Sequence, residues 1–211
     1  MGAKKDLLPS VKKALVTGGG GFVGKAIVRR LQDLGVETRV VGRHRYATLE
    51  AMGVQCFVGD ISQPQILLEA SRGVDIVFHA AALAGIWGPW KTYHNTNVVG
   101  TENVIASCHA NNVPILIYTS TPSVVFDGQD IRGGNELLPY AQKPLCHYAK
   151  SKIIAEKMVL AANTDSLRSC ALRPHLIWGP DDPHLFPRLL ASGKKKQLKR
   201  IGDGSNLVDI S

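Results

Sequence analysis

Four consecutive glycines, Gly18-Gly19-Gly20-Gly21, followed by Phe22-Val23-Gly24, constrain this chain more than any other feature. They follow the apolar run Ala14-Leu15-Val16 after one residue, Thr17. They open a segment whose apolar residues Val23, Ile27, Leu31 and Leu34 recur at helical spacing. Gly18, Gly21 and Gly24 form a G-x-x-G-x-x-G pattern at a strand-to-helix turn. Such a turn lets the backbone approach a pyrophosphate, and the helix behind it points its first N–H groups at the negative charge. A glycine cluster alone describes any flexible loop; between a strand and a helix it reads as a dinucleotide-binding turn.

The rest of the chain alternates in the same manner. Strand-like stretches fall at 14–17, 38–41, 55–58, 75–78, 115–119 and 169–173, and helical stretches at 22–34, 49–52, 64–72, 97–110 and 148–162. This alternation predicts an α/β fold, a doubly wound parallel sheet of the Rossmann-like NAD(P)-binding kind. Aromatic residues make up only 6% of the 211 residues, which suits a core of Val, Ile, Leu and Ala between parallel strands and helices. The connections 82–95 and 122–147 are long and follow strand ends, where open α/β sheets bind ligands. Pro180-Asp181-Asp182-Pro183 breaks the pattern; a short helix over 184–190 and a strand-like 207–210 follow. Three parts are expected: a basic tail over 1–12, a dinucleotide-binding domain over 13–180, and, over 181–211, the opening of a truncated substrate-binding domain.

The net charge of +8 raises the question of nucleic acid. Much of the excess sits in Lys4, Lys5, Lys12 and Lys13 and in the run Lys194-Lys195-Lys196-Gln197-Leu198-Lys199-Arg200, neither interleaved with aromatics. Solvated termini account for it, and no nucleic-acid partner is expected. Cys56, Cys108, Cys146 and Cys170 are scattered without a C-x-x-C pair, which reads as reduced thiols and no metal site. Residues 1–13 lack a long apolar region, and the most apolar stretch, 74–87, is too short to span a bilayer. The expected location is the cytoplasm.

A second motif is Tyr148-Ala149-Lys150-Ser151-Lys152. Tyr148 and Lys152 stand four apart and share a helix face. A phenol titrates near pH 10, so acid/base work at neutrality needs it lowered, and a nearby ammonium favours the phenolate. Tyr118-Thr119-Ser120-Thr121-Pro122-Ser123 ends the fifth strand, and Ser120, Thr121 or Ser123 could hydrogen-bond a substrate oxygen. Both elements have plain alternatives, a solvated pair and a turn former; the glycine turn upstream tips the reading towards catalysis.

Taken together with Gly59-Asp60, His79-Ala80-Ala81, Asn97-Val98-Val99-Gly100-Thr101, Leu172-Arg173-Pro174 and Trp178-Gly179-Pro180, these motifs make the chain resemble an extended short-chain dehydrogenase/reductase. Within that group it is most similar to the 3β-hydroxysteroid dehydrogenase branch. The resemblance implies that Tyr148 is the catalytic acid/base, and that Lys152 holds the nicotinamide ribose and lowers the tyrosine pKa. Thr121, with Ser120 beside it, takes the place of the catalytic hydroxyl. Gly18, Gly21, Phe22, Val23 and Gly24 would line the pyrophosphate, Asp60 and Ile61 the adenine, Ala80 and Ala81 the cofactor's flank, and Pro174 with His175 the nicotinamide. Asn97 would order a water or backbone contact behind the site, and dimers would form through the helices of Asn97 and Tyr148.

Cofactor choice turns on Val41-Gly42-Arg43-His44-Arg45. NAD users place a carboxylate at this strand end for the ribose hydroxyls. None is present, and Arg43 could pair with a 2′-phosphate, so NADP(H) is favoured over NAD(H). Trp87 and Trp90 either line a pocket for a large apolar substrate or pack their own loop. The expected activity is NAD(P)-dependent oxidoreduction of a CH–OH/C=O group on a sterol or a long-chain β-hydroxy/β-keto acid. A nucleotide-sugar epimerase or dehydratase shares most motifs, although Pro122 and Ser123 stand where dehydratases carry an acidic pair. A catalytically silent NAD(P)-binding regulator is the third reading.

Overall fold

The computed structural model describes residues 11–183, 185–200, 202–205 and 207–210. The basic tail expected over 1–12 lies almost wholly outside these residues, as do His184 and Ser211. Six parallel strands form one sheet in the order β3-β2-β1-β4-β5-β6. They are β1 (Lys13–Thr17), β2 (Glu37–Gly42), β3 (Gln55–Val58), β4 (Ile76–His79), β5 (Ile115–Thr119) and β6 (Arg168–Leu172). β1 pairs with β2 on one side and β4 on the other, Thr17 standing opposite both Val41 and His79. The strand order therefore reverses at the C-terminal ends of β1 and β4, where a ligand crevice forms in such sheets.

Alternation along the central strand β1 sends its residues into two cores, one on each face of the sheet. Leu15 enters a core with Val77, Leu116, Val104 and Val159, under α3 (Pro64–Ala70), α5 (Gly100–Ala110) and α6 (His147–Ala161). Ala14 and Val16 enter the opposite core with Val28, Leu31, Val40 and Leu49, under α1 (Phe22–Asp33) and α2 (Ala47–Glu50). Beyond α1 this second face is open: a groove of about 590 Å³ runs along Ile27, Phe78, Ile117, Leu172 and Trp178. α1 ends as its glycine demands. Gly35 takes φ +72°, and the amides of Gly35 and Val36 close on the carbonyls of Gln32 and Leu31 at 2.9 and 3.0 Å. This is the Schellman arrangement, with Val36 and Leu31 in one apolar cluster.

Two segments depart from the expected boundaries. The loop expected over 82–95 ends early, because α4 (Trp90–Tyr93) starts after Pro89 and runs through a widened π turn (His94–Val99) into α5. Asn95, Thr96 and Asn97 are poor helix formers, and the tertiary bonds of Asn97 override that propensity. Near the end, α7 (Leu185–Lys194) extends past 190 and takes in the first basic residue of the run. The strand-like 207–210 contributes only a single parallel bridge, Leu176 with Ile210. Among the described residues no helix is long and apolar enough to cross a membrane.

Candidate active site

The glycine turn is shaped by close backbone contacts. Gly18 has φ +70°, and a Cβ there would lie 2.8 Å from the Ala81 backbone. A Cβ at Gly24 would collide with the Gly18 carbonyl oxygen, so the helix packs directly on the turn. Gly21 is the residue before α1 and brings no capping side chain, and the first turn of α1 has no acidic residue. Its N–H groups are therefore bare. They open on a cleft of about 600 Å³ lined by Gly18, Gly21, Phe22, Val23, Gly24, Ala80, Ser120, Tyr148 and Lys152. A Cβ on Gly21 would project into this cleft with only the Gly18 oxygen, at 3.3 Å, nearby. Uncapped amides beside the open, side-chain-free face of Gly21 fit a pyrophosphate.

Opposite the turn stands α6, with Tyr148, Lys152 and Glu156 one turn apart on the same face. Lys152 is 2% exposed; its Nζ donates to the Thr119 carbonyl at 2.6 Å and lies 4.1 Å from the Tyr118 ring centre. Burial brings its pKa down to about 7, with the Glu156 charge pulling the other way. Burial pushes the Tyr148 phenol above its ordinary value, and a hydrogen bond with Thr121 opposes the rise. This reverses the direction expected from the Y-x-x-x-K spacing. In this state desolvation dominates, and the Lys152 amine is committed to Thr119 instead of the phenol.

Glu156 escaped the sequence reading. It is 1% exposed and accepts hydrogen bonds from Ser120 Oγ, from Tyr140 Oη at 3.0 Å, and from Arg173 Nη2 and Nε at 2.6 and 3.1 Å. Burial pushes its carboxyl up, but the bonds from Arg173, Ser120 and Tyr140 outweigh that and hold it below the usual carboxylate range. Ser120 is thereby turned towards α6, while Thr121 Oγ1 donates to Ser123 Oγ at 3.2 Å and stands near enough to Tyr148 to oppose the rise of its pKa. The only local signal for Glu156 was its position four residues after Lys152.

Two further buried polar residues brace the cleft. Asn97, on the π turn, accepts from the Leu83 amide at 2.7 Å and donates to the Leu83 carbonyl at 3.0 Å and to Ser151 Oγ at 2.9 Å. The two bonds with Leu83 clamp the segment after β4. His79 sits between Thr17 Oγ1 at 2.7 Å and Thr101 Oγ1 at 2.9 Å, and burial lowers its pKa to about 3, so its ring is neutral.

The other sequence candidates scatter more widely. Ala81 is fixed by the bond from its amide to Thr17 Oγ1 at 3.2 Å. The Asp60 carboxylate accepts from the Ser62 amide at 2.9 Å, and the Ile61 side chain is 5% exposed in the core, so only its backbone could meet an adenine. Pro174 lines the open groove behind the sheet instead of the cleft, and His175 approaches Asp209 at 3.5 Å. Arg43 is exposed and makes no hydrogen bond or ion pair among the described residues. Trp90 packs against His94 and His147, whereas Trp87 is 91% exposed. α7 closes one side of the cleft with Leu185, Arg188, Leu189 and Ser192, of which Arg188 had no motif to announce it.

A parallel sheet with a glycine turn facing a Tyr/Lys helix across its switch point defines a dinucleotide-binding short-chain dehydrogenase/reductase domain. Residues 15–211 match the 3-beta hydroxysteroid dehydrogenase/isomerase family, and the chain belongs to it. It is 50% identical to a 2-alkyl-3-oxoalkanoate reductase of Shewanella oneidensis over 96% of this chain and 54% of that protein. It is 40% identical to the mouse (Mus musculus) sterol-4-alpha-carboxylate 3-dehydrogenase, decarboxylating, over 97% of this chain and 57% of the relative. The chain thus spans about half the length of these relatives. Among solved structures it is similar to MoeE5 in complex with UDP-glucose and NAD, with a TM-score of 0.78, 28% identity, and coverage of 94% of this chain and 67% of that one.

Proposed function

We propose that this chain carries the cofactor-binding and acid/base machinery of an oxidoreductase acting on a CH–OH/C=O group. The observation that carries the reading is the meeting of Tyr148, Lys152 and the glycine turn with the uncapped start of α1 on one cleft. In the reductive direction the Tyr148 hydroxyl gives its proton to the substrate oxygen; in oxidation the phenolate takes it back. Thr121 hydrogen-bonds the same oxygen. Lys152, anchored by the Thr119 carbonyl, is placed to hold the nicotinamide ribose and to favour the phenolate when protonated. When bound, the nicotinamide supplies or accepts the hydride, and its oxidised form adds a positive charge that favours the phenolate. The first turn of α1 takes the pyrophosphate. Ala80 and Ala81 flank the cofactor and the Asp60–Ile61 backbone faces the adenine, whereas Pro174 lies in the groove behind the sheet and His175 is turned to Asp209, so neither is given a nicotinamide contact.

NADP(H) is the cofactor this reading favours, because Arg43 is uncommitted at the end of β2 and no carboxylate stands there. Substrates are apolar: a long-chain 3-oxo or 3-hydroxy acid, or a 3β-hydroxysteroid, a reading supported by relatives named for a 2-alkyl-3-oxoalkanoate and a sterol-4-alpha-carboxylate. Residues 13–180 form the dinucleotide-binding domain, and 181–211 open the substrate-binding region, since α7 already lines the cleft. The four free thiols fit a reducing, cytoplasmic setting, and a homodimer would pair α5 and α6.

The test is calorimetric titration with NADPH and NADH, followed by nicotinamide turnover with a 2-alkyl-3-oxo ester. Tyr148→Phe is expected to keep cofactor affinity and lose turnover. Tight co-purification of NAD with no net turnover would favour the epimerase reading, and binding of neither nucleotide would overturn the proposal.

A further inference from the structure

The glycine turn and the end of β2 converge on one side chain that the mechanism leaves unused. Tyr46 precedes α2, and its half-buried ring lies wedged between Gly20 and Gly42. A Cβ on Gly20 would collide with one edge of the ring. A Cβ on Gly42 would lie 2.7 Å from the opposite edge and 2.7 Å from the hydroxyl. Both positions must be glycine for the ring to stand where it does.

These two glycines flank a defined part of a bound dinucleotide. Gly20 lies within the glycine turn, two residues before α1, where a pyrophosphate would sit, and Gly42 ends β2, where an NAD site carries its ribose-binding carboxylate. The Tyr46 ring fills the space such a carboxylate would need. A phenol O–H donates to an anionic oxygen, which a carboxylate would repel. The neighbouring cations divide in the same sense: Arg45 is tied to Glu50 at 2.8 and 3.1 Å, while Arg43, next to Gly42, is uncommitted.

We propose that Tyr46 is the specificity-determining residue at the adenosine end: its hydroxyl, held between Gly20 and Gly42, donates to the 2′-phosphate of NADP(H) beside the Arg43 guanidinium. This rests on the dinucleotide reading above. A hydrogen bond to a charged phosphate is worth about tenfold or more in affinity.

The test uses 2′,5′-ADP and ADP as probes, with NADPH as reference, on the wild type, Tyr46→Phe and Arg43→Ala. Tyr46→Phe keeps the ring and so the packing. A second variant, Gly42→Asp in a Tyr46→Ala background, restores a carboxylate and the room for it. Wild type is expected to bind 2′,5′-ADP at least about tenfold more tightly than ADP. Tyr46→Phe should weaken 2′,5′-ADP about tenfold and leave ADP within about twofold. The double variant should reverse the preference. If wild type binds NADPH but Tyr46→Phe weakens neither probe, or both equally, this inference falls and the oxidoreductase reading stands. If wild type binds none of the three nucleotides, both fall together.

Discussion

Replacing Glu156 by Gln isolates the buried network behind the cleft. The carboxylate is 1% exposed, and its partner Arg173 keeps 21% of its side-chain exposure. Gln has nearly the same shape but one acceptor oxygen, and four N–H or O–H groups from Ser120, Tyr140 and Arg173 converge on this site. Its amide NH2 must then face a donor, and the guanidinium loses its counter-charge. Breaking a buried pair costs about 3–5 kcal/mol, and the partial exposure of Arg173 places this one near about 3 kcal/mol. For a chain of this size that lowers Tm by roughly 6–12 °C. Urea unfolding followed by circular dichroism at pH 7 measures it. The carboxyl is held below its unfolded value, so its stabilisation is complete above the unfolded pKa of about 4.3 and fades as pH falls through the folded value. The gap between wild type and Glu156→Gln should therefore narrow below about pH 4. Arg173→Met added to Glu156→Gln should recover part of the loss. A Glu156→Gln variant within about 0.5 kcal/mol of wild type at pH 7 would refute the argument, since surface substitutions cost that little.

Other consequences are direct. His79 is neutral with a pKa of about 3 against an unfolded value near 6.5, so the unfolded chain binds one more proton between these limits. Stability should fall as pH drops from 6.5, by at most about 1.4 kcal/mol per pH unit from this residue. His79→Gln should flatten the slope in a pH series of urea melts. Gly18→Ala combines φ +70° with a backbone contact at 2.8 Å; it should cost about 2 kcal/mol or more and sharply weaken NADPH binding by fluorescence titration. Ser120→Ala should leave turnover within a few fold and lower Tm, whereas Thr121→Ala should reduce turnover by about a hundredfold with little change in cofactor affinity; equal effects on turnover would show that Ser120 is not withdrawn by Glu156.

Much of the sheet was legible because its signals are local. Alternation places Leu15 in one core and Ala14 and Val16 in the other, and Gly35 stops α1 in a left-handed conformation that glycine adopts without steric cost. β3 and β5 have the boundaries expected from their apolar runs. The helix from 90 to 97 was not legible, because Asn95-Thr96-Asn97 disfavours helix locally. What holds that turn is a pair of bonds to Leu83, fourteen residues away, and one to Ser151, fifty-four away.

The site divides along the same line. The glycine turn, Tyr148 and Lys152 lie on single elements with fixed spacing, and the sequence brought them to one cleft. The direction of their pKa shifts did not follow from spacing, because burial of Tyr148 and Lys152 is a property of the whole fold. Glu156 and Tyr46 were silent for a related reason. Glu156 acquires meaning only when β5, β6 and the 122–147 loop deliver Ser120, Arg173 and Tyr140 to it. Tyr46 acquires meaning only when β1 and β2 pair in the register that sets Gly20 and Gly42 on either side of its ring. A motif reads chemistry carried along one helix or turn. The residues that surround and brace that chemistry are specified by the register of neighbouring strands.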